Sequence, residues 1–346
     1  RYSGGVRLLT RRISNLQKIT CIILRNLFGL YLFSHQSCTS STLLLRKQIY
    51  PRKSSLNLRQ LIFFMLLKMT DLYDNHNHSQ FSFDGGRTSV GKTVNSAIGK
   101  GLAGVCFTDH CDFFVPPMKA KYEEYVPEVF DVEARNAEID KVNAKCPQDF
   151  HVFKGIEIGV QKSERDKIAA HLEKYSFDEI IASVHYLDDT DPFWGGYYEG
   201  KTWRYAYGHY LETLYDEMVW LGDRFDIMGH YDYVTRYAPY PECSILYKDF
   251  PDILDSMLRY LAENGKALEI NTKTYQDFKG RTPVLDKNIL IRYRELGGEI
   301  ISLGSDSHDA DRVGFNFERT AALVSRCGFR YLAHFDKRKP VMLPIR

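Results

Sequence analysis

The sequence has no C-x-x-C pair. Its seven cysteines, an odd number, are scattered. That argues against both a disulfide framework and a cysteine-based zinc site, and it fits a reducing compartment such as the cytoplasm. No glycine-rich phosphate loop of the Walker or dinucleotide type occurs, and internal repeats and low-complexity tracts are missing. The apolar run Leu61 to Leu67 is too short to cross a bilayer, which takes about 20 residues, so no membrane role is expected. The sharpest deficit is of acid. Residues 1 to 70 contain no Asp or Glu but twelve Lys or Arg, which leaves 34 basic against 44 acidic residues in the remainder, a net of −10. Without a basic stripe, that body disfavours a long polyanionic partner such as nucleic acid.

Three origins suit the acid-free segment 1–68: upstream sequence ahead of a start at Met65 or Met69, an Arg- and Ser-rich transit peptide, or a basic tail. The first is favoured, because Met69-Thr-Asp-Leu-Tyr opens directly into strand-like sequence. Residues 69–346 are therefore read as one domain, and the hydrophobic and charged fractions of the whole chain, 44% and 26%, are typical of a globular protein.

Within it, apolar runs alternate with helical patterns. The spacing predicts helices over 90–100, 129–144, 164–174, 203–221, 251–264 and 283–296. Strand-like runs end at His78, His110, Glu157, His185, His230, Asn271 and Asp306. Seven strand–helix units in this order predict an α/β fold, a distorted (β/α)7, TIM-like barrel. In such barrels the strand C-termini converge on one face, where chemistry is built. Nine side chains suited to metal binding collect there: His76, His78, Asp84, His110, Glu157, His185, His230, Asp306 and His308. His76 and His78, two apart on a strand, point the same way and can reach one cation. Asp109 is either an acceptor that orients a ligand or a turn residue.

The fragments His76-Asn-His78, Thr108-Asp-His110, Gly155-Ile-Glu157, Ser183-Val-His185, Gly229-His230 and Ser305-Asp306-Ser-His308 resemble, in order and spacing, the PHP (polymerase and histidinol phosphatase) family. His78-Ser-x-Phe-Ser-x-Asp-Gly85, Thr108-Asp-His-x-Asp-Phe113, Gly229-His-Tyr-Asp232 with Arg236, Glu269-Ile-Asn-Thr272 and the tail from Phe335 are similar to its histidinol-phosphatase branch. The likeness runs from Met69 to the C-terminus. It implies two or three divalent ions, zinc, iron or manganese. His76, His78, Glu157 and Asp306 would hold the first, and Glu157 would bridge to a second completed by His185 and His230. Asp84, His110 and His308 would hold the third. Some members of the family carry histidine at the position of Asp84, and an oxygen donor there lowers the affinity for a soft metal.

The implied reaction is hydrolysis of L-histidinol phosphate by a hydroxide held between metals, with Glu157, Asp306 and His308 as catalytic residues. Metals neutralise the charge that develops on the transferring phosphoryl group. Arg236 is the candidate phosphate clamp, since its planar fork suits two phosphate oxygens. Asp112, Phe113 and the aromatic loop 188–207 are candidates to face the cationic remainder of the ester. Those loop aromatics would otherwise simply pack. Another small phosphate monoester, a nucleotide or a phosphotyrosine remain alternative substrates. An amidohydrolase barrel also begins with His-x-His but has no need of Asp84 or the Asp306–His308 pair. A protein that had lost turnover would be expected to lack a bridging ligand such as Glu157. The oligomeric state has no sequence signal.

Overall fold

The computed structural model describes residues 71–85, 88–116 and 126–345. The expectations for residues 1–68 and for Pro117 lie outside them. The described residues open with β1 (Tyr73–Asn77), α1 (Val90–Gly99), β2 (Gly104–Phe107) and β3 (His110–Asp112). It continues through α2 (Val132–Asn143), β4 (His151–Gly159), α3 (Arg165–Lys174), β5 (Glu179–Ser183), α4 (Trp203–Leu221) and β6 (Ile227–Met228). Then follow α5 (Tyr233–Arg236), α6 (Pro251–Glu263), β7 (Ala267–Asn271), α7 (Lys287–Glu295) and β8 (Ile301–Gly304). Helix α8 (Phe317–Arg326) leads to a hairpin, β9 (Tyr331–Asp336) and β10 (Lys339–Pro344).

The strands pair in the order β1-β2-β4-β5-β6-β7-β8-β9-β10, with β3 also on β4. All pairs are parallel except β9 with β10. The circle closes where β1 meets the chain after β8. Asn77 and Ser307 form a parallel bridge, and the His78 N–H donates to Ser307 O at 2.9 Å. Nearer the strand starts, β9 pairs with β8 at Ala333, and the Asn75 amide spans the seam to Ser302 Oγ (2.8 Å) and Ala333 O (2.9 Å). This is the seven-unit barrel read from the alternation, distorted at the seam.

Short side-chain caps set the helix starts. Ser89, Asp131, Thr202 and Asp286 each accept a first-turn amide hydrogen. The caps explain two shifts from the predicted boundaries. The helix expected over 129–144 begins at Val132 because Asp131 caps it, and the one expected over 283–296 begins at Lys287 because Asp286 does. In α6, Leu254, Met257, Leu258 and Leu261 recur at helical spacing and are buried, as one apolar face against the barrel requires. A second, smaller cluster of Ile181, Ile227, Ala267 and Phe335 lies apart from that main core. Ile181 shares its strand face with Ser183, whose hydroxyl donates to Glu157, so this cluster fills the barrel below the site.

Two features depart from expectation. Glu157 does not end its strand: β4 runs two residues further, because β3 pairs beside it from His110↔Glu157 to Asp112↔Gly159. The tail, to which the sequence pattern assigned no element, forms the β9–β10 hairpin, turned by Lys337 and Arg338, both at positive φ (50° and 67°). No helix among the described residues is long and apolar enough to cross a membrane.

Candidate metal centre

Glu157 is the hub. It is fully buried, and its two carboxylate oxygens face different imidazoles. Oε2 lies 3.1 Å from His76 Nε2, 3.4 Å from His78 Nε2 and 2.9 Å from His110 Nδ1. Oε1 lies 3.1 Å from His185 Nε2 and 2.9 Å from His230 Nε2. Asp306 Oδ1 stands 3.4 Å from His78 Nε2. On the other side, Asp84 Oδ2 is 2.9 Å from His308 Nε2 and 3.5 Å from His110 Nε2, so His110 lies between the hub and Asp84. All nine side chains picked from strand ends are therefore brought together. Asp306 takes a left-handed backbone (φ 50°), which aspartate tolerates better than most residues, and this turns the chain back over the barrel mouth.

The donor set fits divalent metal ions. His76 Nε2, His78 Nε2, His110 Nδ1 and Glu157 Oε2 are buried and lack any hydrogen-bond partner, although they crowd one space. Leaving such groups unpaired is costly unless a cation satisfies them, and mixed imidazole and carboxylate donors suit zinc and its neighbours. The local field agrees. Burial pushes the Glu157 carboxyl up, but His76, His110 and His185 outweigh it and hold it well below the usual range. Burial and the neighbouring His110 and His308 keep the His78 imidazole well below its ordinary value, as a neutral nitrogen donor.

Beside this cluster opens a cavity of about 610 Å³. One group of its lining residues is cationic: Arg236, Lys273 and Arg312. Arg236 is almost wholly buried on α5. Its Nη1 donates to Asp306 Oδ2 (2.7 Å) and its Nε to Thr274 Oγ1 (2.9 Å), while Nη2 has no partner. Lys273 Nζ is 3.0 Å from Asp306 Oδ1 and 3.2 Å from His308 Nδ1. The other group is acidic and aromatic. Tyr233 donates to Asp191 Oδ1 (2.8 Å), and Phe193 meets Tyr237 edge-on at 5.1 Å. Burial lifts the Asp191 carboxyl to about 6.

The aromatic loop divides between its two readings. Phe193, exposed, and Trp194 line the cavity, whereas Tyr197, Tyr198 and Tyr207 are buried and pack. Asp112 also lines it and accepts from His185 Nδ1 (3.0 Å), but Phe113 turns away onto His171. Asp109 touches none of the clustered imidazoles; it accepts from the Ser79 amide and hydroxyl, Ser82 Oγ and Arg135. Sequence reading assigned no role to Lys273, Asp191, Arg312 or Glu269. Lys273 lies two residues past β7 and could have been found by the strand-end rule. Glu269 carried a different signal, a charge inside the apolar run Ala267-Leu-Glu-Ile.

A parallel barrel with an imidazole–carboxylate cluster at its strand ends, beside a cavity with cationic walls, defines a metal-dependent hydrolase. The chain belongs to the PHP domain family, whose model matches residues 74–273. It is 35% identical over 267 residues to the histidinol-phosphatase of Lactococcus lactis, which covers 77% of this chain and 95% of that one. A solved structure of histidinol phosphate phosphatase from the same organism, complexed with Zn, L-histidinol and phosphate, superposes with a TM-score of 0.70. It is 32% identical and covers 78% of this chain and 99% of its own. The hisK structure from Listeria monocytogenes matches at a TM-score of 0.60 and 17% identity, over 71% of this chain and 99% of that one, and speaks for the fold alone.

Proposed function

We infer that this protein hydrolyses L-histidinol phosphate to L-histidinol and phosphate with the help of divalent metal ions. The observation that carries the reading is the likeness, in sequence and fold together, to the Lactococcus lactis enzyme that binds zinc, L-histidinol and phosphate. We place it in histidine biosynthesis and in the cytoplasm, with a small phosphate ester rather than a nucleic acid as its partner.

Our ligand set is His76, His78, Glu157 and Asp306 for one ion, Glu157 with His185 and His230 for a second, and Asp84, His110 and His308 for a third. The two-faced hub supports the bridging role, since each Glu157 oxygen meets its own imidazoles. When bound, such ions supply activated water and neutralise charge on the phosphoryl group. The chain's own residues do the rest. Arg236 offers its unpartnered Nη2 to a phosphate oxygen while Asp306 and Thr274 fix the guanidinium plane. Lys273, braced by Asp306 and His308, puts a second proton-bearing cation at the cavity wall. Asp112 and Asp191 face the cavity with Phe193 and Trp194, a setting suited to an ammonium and an imidazole.

The test is a metal-replete preparation of the full chain, and of a chain starting at Met69, assayed on four substrates. These are histidinol phosphate, a nucleoside bisphosphate, a phosphotyrosyl peptide and single-stranded DNA. kcat/KM for histidinol phosphate should exceed each other value by at least about 10²-fold, roughly 2.7 kcal/mol of discrimination. The two chains should agree, EDTA should abolish turnover, and added divalent metal should restore it. A higher kcat/KM on any other substrate would overturn the substrate assignment.

A further inference from the structure

Glu269 does not line the cavity beside the cluster and is 1% exposed, yet it stands directly behind the cluster. Oε1 is 2.6 Å from His76 Nδ1, on the far side of the ring from the nitrogen that faces Glu157. Oε2 accepts the backbone N–H of His230 at 2.6 Å. The Asn271 amide lies 3.3 Å from Glu269 Oε1 and 3.4 Å from Asp306 Oδ2, linking the two acids. One buried carboxylate thus reaches two of the clustered histidines directly and Asp306 through Asn271.

The room for it is made by an absence. A Cβ added at Gly304, on the neighbouring strand, would overlap Glu269 Oε1 and come within 2.6 Å of His76 Cβ. The same arrangement recurs across the barrel. A Cβ at Gly159 would overlap Asp112 Oδ1, the atom that accepts from His185 Nδ1. Two clustered imidazoles, His76 and His185, are therefore each held by a carboxylate seated in a slot that glycine leaves open.

We propose that Glu269 is a positioning residue for the metal centre, seated in the Gly304 slot so that it fixes the His76 ring and the His230 backbone around Glu157. Accepting from Nδ1–H leaves the His76 Nε2 lone pair free to face a cation, and the negative charge makes that nitrogen a better donor. Glutamine cannot replace it fully. Its amide has a single acceptor oxygen, so its NH2 must meet either the His76 or the His230 N–H, donor against donor. The inference rests on the metal-dependent reading above.

The experiment measures zinc affinity by chelator competition, and the visible spectrum of the cobalt-substituted enzyme, for wild type, Glu157→Gln and Glu269→Gln. Glu269→Gln should bind zinc about 10–100-fold more weakly and shift the cobalt bands. Its kcat should fall while KM stays within about twofold. A purely structural role would instead lower the melting temperature of metal-free and zinc-loaded protein alike, with spectrum and affinity unmoved, and that result overturns the proposal. Gly304→Ala should reproduce the loss. Failure of both Glu269→Gln and Gly304→Ala to fold would also overturn it. If Glu157→Gln keeps wild-type zinc affinity, the metal-centre reading itself has failed and the proposal with it. If Glu157→Gln loses zinc and Glu269→Gln does not, only the positioning role falls.

Discussion

At the C-terminal end of the strands, His76, His78, His110 and Glu157 keep buried polar atoms without hydrogen-bond partners. At the opposite end, charges beside the strand starts are tied down. Asp226 accepts from the Ile180 amide (2.9 Å) and from Arg338 Nε, and Arg338 Nη2 donates to Asp223 O (2.9 Å). Asp178 takes the Lys154 amide (2.9 Å), and Lys266 Nζ reaches Phe225 O (2.8 Å). The same strands supply both ends, so burial alone does not distinguish a functional charge from a structural one. Satisfaction does: a paired charge holds the fold, while a convergent set of unpaired donors and acceptors awaits a ligand. Glu179, inside the barrel with the weak Cys106 thiol donor beside it, is one exception. Burial raises its carboxyl well above the usual range, which favours the uncharged form and makes it less costly to bury.

The contrast breaks most readily at the hub. Glu157→Gln removes the charge that faces five imidazoles, and kcat should fall at least about 10²-fold with loss of bound metal measured by elemental analysis. Near-normal metal and turnover would make Glu157 one more satisfied acid. Arg236→Lys keeps the charge but not the fork, and Lys cannot hold Asp306 and Thr274 in one plane. KM for the phosphate ester should rise about tenfold, with kcat less affected, in steady-state assays; an unchanged KM returns Arg236 to a structural role. At the lower end the signature reverses. Arg338→Ala strips a partner from buried Asp226, so denaturant unfolding should show a loss of about 1–3 kcal/mol while kcat/KM stays put. The smallest effect is a pH dependence at Asp191. Its folded pKa, about 6, lies above the unfolded value, so its stabilising contribution is complete below about pH 4 and lost as pH rises through 6. Asp191 is half-buried at the cavity wall and solvent screens it. Unfolding curves at pH 4 and 7 should therefore show Asp191→Asn gaining about 1 kcal/mol on the wild type across that window. Parallel pH profiles would argue against the raised pKa.

Much of this was legible because the barrel writes its site at regular intervals. Each of His110, His185, His230 and Asp306 follows an apolar run, and that recurrence carried both the seven-unit fold and the cluster. The hidden parts have physical reasons. The β9–β10 hairpin mixes charge and proline in short strands, exposed along much of β10, so its alternation is weak. β3 exists only because β4 offers it an edge, and no local pattern in His110-Cys-Asp112 announces a strand. Glu269 interacts with His76, 193 residues away, a relation that no window of sequence contains. Phe113 and Phe193 look alike as aromatic neighbours of the site, yet only packing sends one to His171 and the other to the cavity.

The barrel seam also sets an order of events in the cell. Asp74 and Ser305, which hydrogen-bond across it, are 231 positions apart, and His78 meets Asp306 over nearly the same span. At about 5–20 residues per second, the ribosome makes the first histidine pair roughly 10–50 s before its carboxylate partner exists. During that interval the nascent chain carries an incomplete chelate with open valences. On the ligand set proposed above, stable loading would belong to the finished polypeptide, and the ions would fasten β1 to the chain after β8. Bringing ends that far apart together costs about 5 kcal/mol on a logarithmic loop-closure estimate, a cost that ions bound only by the closed barrel would help to offset.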